Sequence, residues 1–260
     1  EEMDLKTPNT VTMKKPQFVM YVLLALSIAE AYAEFTGNKA LMFYTKPLLL
    51  PMIMVYAYVV IDHRWNSALK FLLLALFFSW IGDVSLMLTP EHPLDNSLMG
   101  VPKSKYFFLL GLSSFLINHL FLISIYRKAL TGKEGGLFQQ NKFSFLPFLA
   151  YGIVMVSVVV PPVYNNPEKS MATLPVILYA AILLSMAAFA YNRYGFVNTK
   201  SFWLVFIGAV LFVFSDSIIA LNFLAFPGFI PKPGFVIMTT YVAAEFLIAK
   251  GILLQFFEEK

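Results

Sequence analysis

The chain of 260 residues is 59% hydrophobic and 13% charged, with a mean hydropathy of +0.72 and a net charge of +4. A soluble domain carries about 25% charged residues, so a water-soluble globular protein is excluded. The absence of cysteine excludes disulfides, thiolate metal sites and a cysteine nucleophile. No linker or long run of charge divides the chain, and we predict a single transmembrane domain over residues 1–260.

Eight apolar segments are each long enough to cross the hydrocarbon core of a bilayer, which takes about 20 residues as a helix. The second segment gives the weakest signal, because Lys46, Pro47 and Pro51 interrupt it. We therefore predict an all-α integral membrane protein, a bundle of about eight transmembrane helices. In chain order, the predicted spans are 17–35, 42–61, 68–88, 105–126, 143–164, 172–191, 200–223 and 234–257.

The distribution of lysine and arginine predicts how these spans are oriented. Of the 19 basic residues, 12 fall on the side that holds both termini, five fall on the other side, and two lie within spans. Positive charge is retained in the cytoplasm, so both termini are predicted to be cytoplasmic. The lysine-rich loops favour a bacterial inner membrane over an endoplasmic reticulum. A cleavable signal peptide is less favoured, because Glu30 and Glu34 flank the only candidate cleavage site, Ala31-Tyr32-Ala33.

Two aspartates lie inside predicted spans with no local cation. A charge at mid-bilayer costs about 2.5–3.5 kcal/mol on insertion scales, so such residues usually face the interior of a bundle and mark a functional site. Asp83 follows Gly82 in the third span, and Asp216 follows Ser215 in the seventh. The shared context, in spans of the same direction, suggests two four-helix halves related as a parallel repeat. We take Asp83 and Asp216 as the candidate catalytic residues.

Ionisable residues in six different spans, the two aspartates included, fall between the midplane and the outer third of the membrane. A common buried cavity would produce this pattern, although single residues have simpler explanations. Glu30 and Lys46 lie close enough to a span end to reach the interface, whereas His119 and Tyr241 are of types that often pack in a core. The candidate substrate-binding or supporting residues are Glu30, Lys46, His119, Asn222, Tyr241 and Glu245.

Two neighbouring buried carboxyl groups do not both ionise readily, so one serves as a protonated acid beside an ionised base. Such a pair suits hydrolysis of acid-labile bonds in peptides, acetals or enol ethers. The same carboxyls would serve a proton-coupled transporter, and a non-catalytic lipid-binding or scaffold protein is a third alternative. No metal is predicted. An oxygen-rich site from Asp83, Asp216 and Glu245 is disfavoured, and a three-histidine zinc site is excluded because His63 and His92 lie in loops.

Five short stretches carry, in their order and spacing, a resemblance to a known family. They are Lys46-Pro47 with Pro51, Gly82-Asp83, Gly111 with Phe115 and His119, Ser215-Asp216 through Ala220-Leu221-Asn222, and Thr240-Tyr241 through Ala244-Glu245. The pattern Ser-Asp-x-x-x-Ala-Leu-Asn is the most specific. On these residues the chain resembles the YhhN family of membrane lysoplasmalogenases. Glu245 and Leu122 depart from the family pattern, which has glutamine at the first position and often tyrosine at the second.

The resemblance implies a hydrolase that cleaves the vinyl-ether bond of lysoplasmalogens and needs no cofactor. The products would be a fatty aldehyde and a glycerophospho-ethanolamine or -choline. The implied partners are the lysophospholipid substrate and membrane lipids, with no nucleic acid, and the oligomeric state is left open. Asp83 and Asp216 would be the acid–base pair, with the general acid unassigned, and Lys46 would meet the phosphate. Candidates for orienting water or substrate are Asn222, Tyr241 and His119.

Overall fold

The structure, a computed structural model, describes residues 14–61, 65–88, 97–98, 101–132 and 135–257. Within these residues, eight helices are long and apolar enough to span a membrane, and each predicted span boundary lies within three residues of the observed one. The all-α membrane bundle is thereby confirmed. The helices are α1 (Lys14–Thr36), α2 (Lys39–Ile61), α3 (Ser67–Met87), α4 (Lys103–Ala129), the short α5 (Leu137–Gln140), α6 (Leu146–Tyr164), α7 (Thr173–Tyr191), α8 (Thr199–Ile219) and α9 (Pro233–Phe257).

Shorter elements connect the long helices. They are a two-residue ladder of β1 (Ser97–Leu98) and β2 (Val101–Pro102), 3-10 turns at Lys142–Phe145 and Ser170–Ala172, and a π-helix at Ala220–Ala225. The π-helix continues α8, and such segments occur often at functional sites. Its last carbonyls are satisfied from another loop, since Lys169 Nζ donates to the carbonyls of Phe223 and Leu224 at 3.0 Å each.

Helix α2 is continuous despite Pro47 and Pro51 in its interior. Proline has no N–H, so Pro51 leaves the carbonyl of Pro47 without its helical partner. The indole Nε1 of Trp80 on α3 donates to that carbonyl at 2.9 Å. A neighbouring helix therefore satisfies the group that the proline frees. The bond also fixes α2 against α3, close in sequence to both Lys46 and Asp83.

Two glycines allow helices to approach each other closely. A Cβ on Gly82 of α3 would lie 2.6 Å from the ring of Phe115 on α4. A Cβ on Gly208 of α8 would lie 2.9 Å from the carbonyl oxygen of Ala244 and 3.1 Å from the amide nitrogen of Ile248, both on α9. Close backbone approach of this kind increases van der Waals contact between membrane helices. The α3–α4 and α8–α9 pairs have the most extensive contacts in the bundle, and each pair carries one of the two aspartates.

Six long helices form a ring around an interior space. Helix α3 contacts α4, α4 contacts α7, α7 contacts both α6 and α8, and α6 contacts the π-helix that extends α8. Helix α9 closes the ring, because it packs against both α8 and α3. Helices α1 and α2 pack together and lie against α9, and α2 also contacts α3. The ring therefore places α3 and α8, the helices of the two aspartates, on either side of α9.

One loop cation counted toward the predicted cytoplasmic charge is buried. Arg193, between α7 and α8, is 1% exposed. Its Nη2 donates to Ser201 Oγ at 2.7 Å, and the guanidinium carbon lies 5.4 Å from the ring centroid of Tyr126. Burial lowers the pKa of the Arg193 guanidinium to about 10, so the group is still a cation at neutral pH. The positive charge of Arg193 is therefore buried at one end of the helix bundle and does not lie in a loop that faces water.

Gly208→Ala should lower the thermal unfolding midpoint in detergent, because the added methyl must push α8 away from the backbone of α9. Overpacking typically costs about 1–3 kcal/mol, which offsets the gain of about 1 kcal/mol that alanine has over glycine in a helix. The matched control is Gly152→Ala on α6, whose methyl would meet only Cδ1 of Leu184. A midpoint for Gly208→Ala at or above that of Gly152→Ala would contradict the close α8–α9 contact.

Candidate active site

The first predicted catalytic residue, Asp83, is buried near the end of α3, with 4% of its surface exposed. The hydroxyl of Tyr241 on α9 donates to Asp83 Oδ2 at 2.9 Å. The ring of Phe115 fills the space beside Gly82 and meets the Tyr241 ring edge-on, with 5.9 Å between the ring centroids. A buried polar group without a hydrogen bond is costly, so the tyrosine hydroxyl offsets the desolvation of this carboxyl.

The second predicted catalytic residue, Asp216, is half-buried on α8. The hydroxyl of Tyr179 on α7 donates to Asp216 Oδ2 at 2.5 Å. The same hydroxyl lies 3.2 Å from Nε2 of His119 on α4. Because Tyr179 gives its single proton to the carboxylate, His119 must donate to Tyr179 and carry its proton on Nε2. His119 is fully buried, and its Nδ1 has no hydrogen-bond partner.

Both aspartates line one cavity of about 160 Å³. Its other lining residues are mostly apolar side chains of the six ring helices, with Lys46 reaching in from α2. Among the described residues, each aspartate is bonded by a tyrosine and no hydrogen bond joins the two carboxyls. The arrangement offers two groups for proton transfer beside space for an aliphatic chain.

Lys46 supplies a cation at the edge of this cavity. Its Nζ lies 3.9 Å from Oε1 of Glu34 on α1, and the two side chains are 20% and 14% exposed. The Glu34 carboxylate lies directly against Gly234 at the start of α9, where a Cβ would collide with it. Glu34 was not among the predicted site residues. The pair places one positive and one negative group close to the aspartates.

Two of the predicted supporting acids are buried behind the cavity wall. Glu30 accepts a hydrogen bond from Thr45 Oγ1 on α2, and its Oε1 has no partner. Glu245 is 1% exposed, and its Oε1 accepts from Ser79 Oγ on α3 at 2.5 Å. Neither carboxyl lines the cavity.

Asn222 lies in the π-helix and is part of the connection to α9. Its Oδ1 accepts from the backbone N–H of Ile230 at 2.8 Å, which closes the loop that follows. The structure therefore separates the predicted site residues into three positions. Those that line the cavity are Asp83, Asp216, Lys46 and Tyr241; His119 lies behind Tyr179; Glu30, Glu245 and Asn222 lie away from the lining.

Tyr179 is the functional side chain that sequence reasoning missed. It is one of 13 tyrosines in the chain and lies in an apolar helix with no motif around it. A contact across helices gives it its role, and the sequence holds no local signal of that contact. For metals, the part of the chain that the structure describes holds no group of three His, Asp or Glu placed to bind an ion. His63 and His92 lie outside the described residues.

The fold and the cavity together define a multi-pass α-helical membrane protein with a pair of carboxyl groups inside the bundle. Within this class, the family model of the YhhN family matches residues 41–252, which is most of the chain and includes every cavity-lining residue. The chain belongs to the YhhN family, as the resemblance predicted. No curated protein and no solved structure matches it.

Glu245→Gln should leave the fold intact, because the amide oxygen accepts the same hydrogen bond from Ser79. Glu245→Leu removes the acceptor and leaves a buried hydroxyl unsatisfied, which costs about 1–3 kcal/mol. Thermal unfolding in detergent should therefore place Glu245→Gln near the parent protein and Glu245→Leu clearly below it. If both variants had equally low midpoints, the stability of the fold would depend on the carboxylate charge of Glu245 and not on its hydrogen bond with Ser79.

Proposed function

We propose that this chain is a lysoplasmalogenase, which hydrolyses the vinyl-ether bond of a lysophospholipid. The observation that carries the proposal is the pair of carboxyl groups, Asp83 and Asp216, on the wall of one apolar cavity within a membrane bundle. Membership of the YhhN family supports it, because lysoplasmalogenase is the activity associated with that family. The cavity suits a substrate that is mostly hydrocarbon and carries an acid-labile bond.

The reaction needs one proton donor, one proton acceptor and one water. A carboxylic acid protonates the outer vinyl carbon, which breaks the carbon–carbon π bond and leaves an oxocarbenium ion. Water adds to the cationic carbon while the other carboxylate takes a proton from it. The resulting hemiacetal breaks its bond to the glycerol oxygen, which takes a proton from the second carboxyl, while the hemiacetal hydroxyl gives its proton to the first. A fatty aldehyde is released and both carboxyls return to their starting states. The acid and base roles parallel those of paired carboxyls in glycoside hydrolysis.

The tyrosine hydroxyls leave one oxygen of each aspartate for this chemistry. Tyr241 and Tyr179 each occupy Oδ2 of their aspartate. The other oxygen of each carboxyl is then the one available to substrate or water in the cavity that both residues line. Fixing one carboxyl oxygen orients the other, and a pre-oriented acid or base needs little reorganisation during proton transfer. Each tyrosine therefore positions the carboxyl that it bonds.

The substrate would lie with its chain along α6 and α7 and its headgroup near Lys46. Apolar side chains from those two helices make up a large part of the lining, among them Val156, Val159, Ala180 and Leu183. The Lys46 ammonium, now 3.9 Å from Glu34, would meet the lipid phosphate. This pose brings the vinyl ether, which lies between the chain and the glycerol, to the aspartates.

A proton-coupled transporter built on the same carboxyls is the rival function. The two are separated by incubating purified protein in detergent with lysoplasmenylethanolamine and coupling aldehyde release to an enzymatic readout. Detergent abolishes compartments, so a transporter leaves the lipid chemically unchanged. Aldehyde formation that scales with the amount of protein supports the hydrolase.

Asp83→Asn and Asp216→Asn should each reduce aldehyde release at least about 100-fold, because general acid–base groups contribute about 10²–10⁴-fold. The amide keeps the size and can still accept the tyrosine hydrogen bond, so thermal unfolding should change little. Ser114→Ala on α4 is a control for a buried polar residue outside the cavity lining. Full turnover in either asparagine variant would remove that aspartate from the mechanism.

Tyr179→Phe should lower kcat by about 10- to 100-fold, since a hydrogen bond to a charged group is worth about 1.5–3 kcal/mol. KM should hardly change, because the lost hydroxyl orients Asp216 rather than the lipid. Ser185→Ala on the exposed face of α7, which removes only a bond to its own helix, is the matched control. A rise in KM at constant kcat would show that Tyr179 contacts the lipid and does not position the carboxyl.

A further inference from the structure

The cavity reaches the surface of the bundle between α6 and α8. Tyr151 of α6 lines the cavity and is at the same time 40% exposed. Helix α6 packs against α7 and against the π-helix at the end of α8, but it makes little contact with α8 itself. On the N-terminal side of the π-helix, α6 and α8 therefore flank a slot. Tyr151 and Met155 line one side of it, and Val213 and Ser217 line the other.

One hydrogen bond bridges this slot. The Tyr151 hydroxyl lies 2.7 Å from Ser217 Oγ. Ser217 has a single hydroxyl proton, and its Oγ also lies 2.6 Å from the carbonyl of Val213 on its own helix. A carbonyl only accepts, so Ser217 gives its proton to Val213 and Tyr151 is the donor across the slot. Ser217 directly follows Asp216, so the bridge ends one residue from the reacting carboxyl.

Both rims of the slot present apolar side chains to the membrane. More than a third of the surface of each rim residue is exposed, and none is charged. The exposed rim residues are Val154 and Val158 on α6 and Val210 and Phe214 on α8. A route between the bilayer and the cavity through this slot would expose a lipid chain to hydrocarbon surfaces alone, so the chain would not enter water.

We propose that a single-chain membrane lipid reaches the cavity sideways through this α6–α8 slot, and that the Tyr151–Ser217 hydrogen bond is the latch that closes it. The proposal rests on the proposed function, because the lipid is the lysophospholipid whose vinyl ether the aspartates cleave. The proposal adds the route by which the lipid enters the cavity and the two residues that control this route. A lysolipid has one chain, which a slot between two helices admits end-on, whereas a second acyl chain would have to force the helices further apart.

The latch is weak enough to open at every turnover. A hydrogen bond between neutral groups shifts an equilibrium by only about two- to tenfold. The packing of α6 on α7 and on the π-helix is retained when the latch opens, so the movement is confined to the middle of α6. Closure returns the Tyr151 hydroxyl to Ser217, next to Asp216, and separates the reacting group from the bilayer.

The absence of cysteine from the chain makes a direct test available. In the double variant Tyr151→Cys/Ser217→Cys, a reversible bifunctional thiosulfonate long enough to replace the tyrosine side chain would tie α6 to α8. We expect cross-linking to reduce aldehyde release at least tenfold relative to the same variant before treatment, and reduction with dithiothreitol to restore it. The matched control is Phe148→Cys/Tyr191→Cys, at two ring positions that meet between α6 and α7 outside the cavity lining; it ties these helices without crossing the slot and should keep its rate when cross-linked.

A second measurement separates the route from the chemistry. A saturated 1-O-alkyl lysophospholipid lacks the vinyl double bond, and its binding rate can be followed by fluorescence of a labelled chain. We expect cross-linking across the slot to slow this binding at least tenfold, and Tyr151→Phe, which removes only the latch hydroxyl, to speed it about two- to tenfold. Unchanged binding in both would overturn the slot and the latch, even if the parent protein releases aldehyde. A parent protein that binds through the slot but releases no aldehyde would overturn the proposed function instead.

Discussion

The structure depends on one constraint: a carboxyl group buried among membrane helices needs a hydrogen-bond donor. Here the donors are neutral hydroxyls. A cation would have to be desolvated together with its partner, whereas a hydroxyl satisfies one carboxyl oxygen without adding a second buried charge. Four acids within the described spans are bonded in this way, whereas Glu34, near the end of α1, pairs with Lys46 instead. The pairs are Tyr241–Asp83, Tyr179–Asp216, Ser79–Glu245 and Thr45–Glu30.

Each of these bonds also joins two helices. Two of them tie α3 to α9, one ties α7 to α8, and one ties α2 to α1. In lipid, where apolar contact gives helices little preference for one partner over another, such bonds help to fix which helices meet and in which register. Close packing at Gly82 and Gly208 then lets the α3–α4 and α8–α9 pairs approach closely. The polar groups that carry the proposed chemistry are therefore part of what assembles the cavity.

Hydropathy alone predicted the eight helices and nearly all of their ends, because crossing a bilayer demands long apolar runs whatever the tertiary contacts. The same logic found Asp83 and Asp216, since an unpaired acid in a span is conspicuous. It did not find Tyr179, because a tyrosine in an apolar helix looks the same whether it faces lipid or a carboxylate. It counted Arg193 only as one of the basic loop residues, and nothing in the sequence indicated that this side chain is buried. The orientation from the basic residues, the parallel repeat and the membrane of residence stay predictions.

The bond from Trp80 to the carbonyl of Pro47 exists because Pro51 cannot use that carbonyl within its own helix. Trp80 is three residues before Asp83, and Pro47 directly follows Lys46. The bond therefore fixes the backbone of α2 next to Lys46 against the backbone of α3 near Asp83. Under the proposed function, this spacing would match the number of atoms between phosphate and ether oxygen, which is the same in every lysophospholipid of one backbone type. The protein would then be strict about the glycerol backbone while the open, apolar part of the cavity tolerates chains of different length.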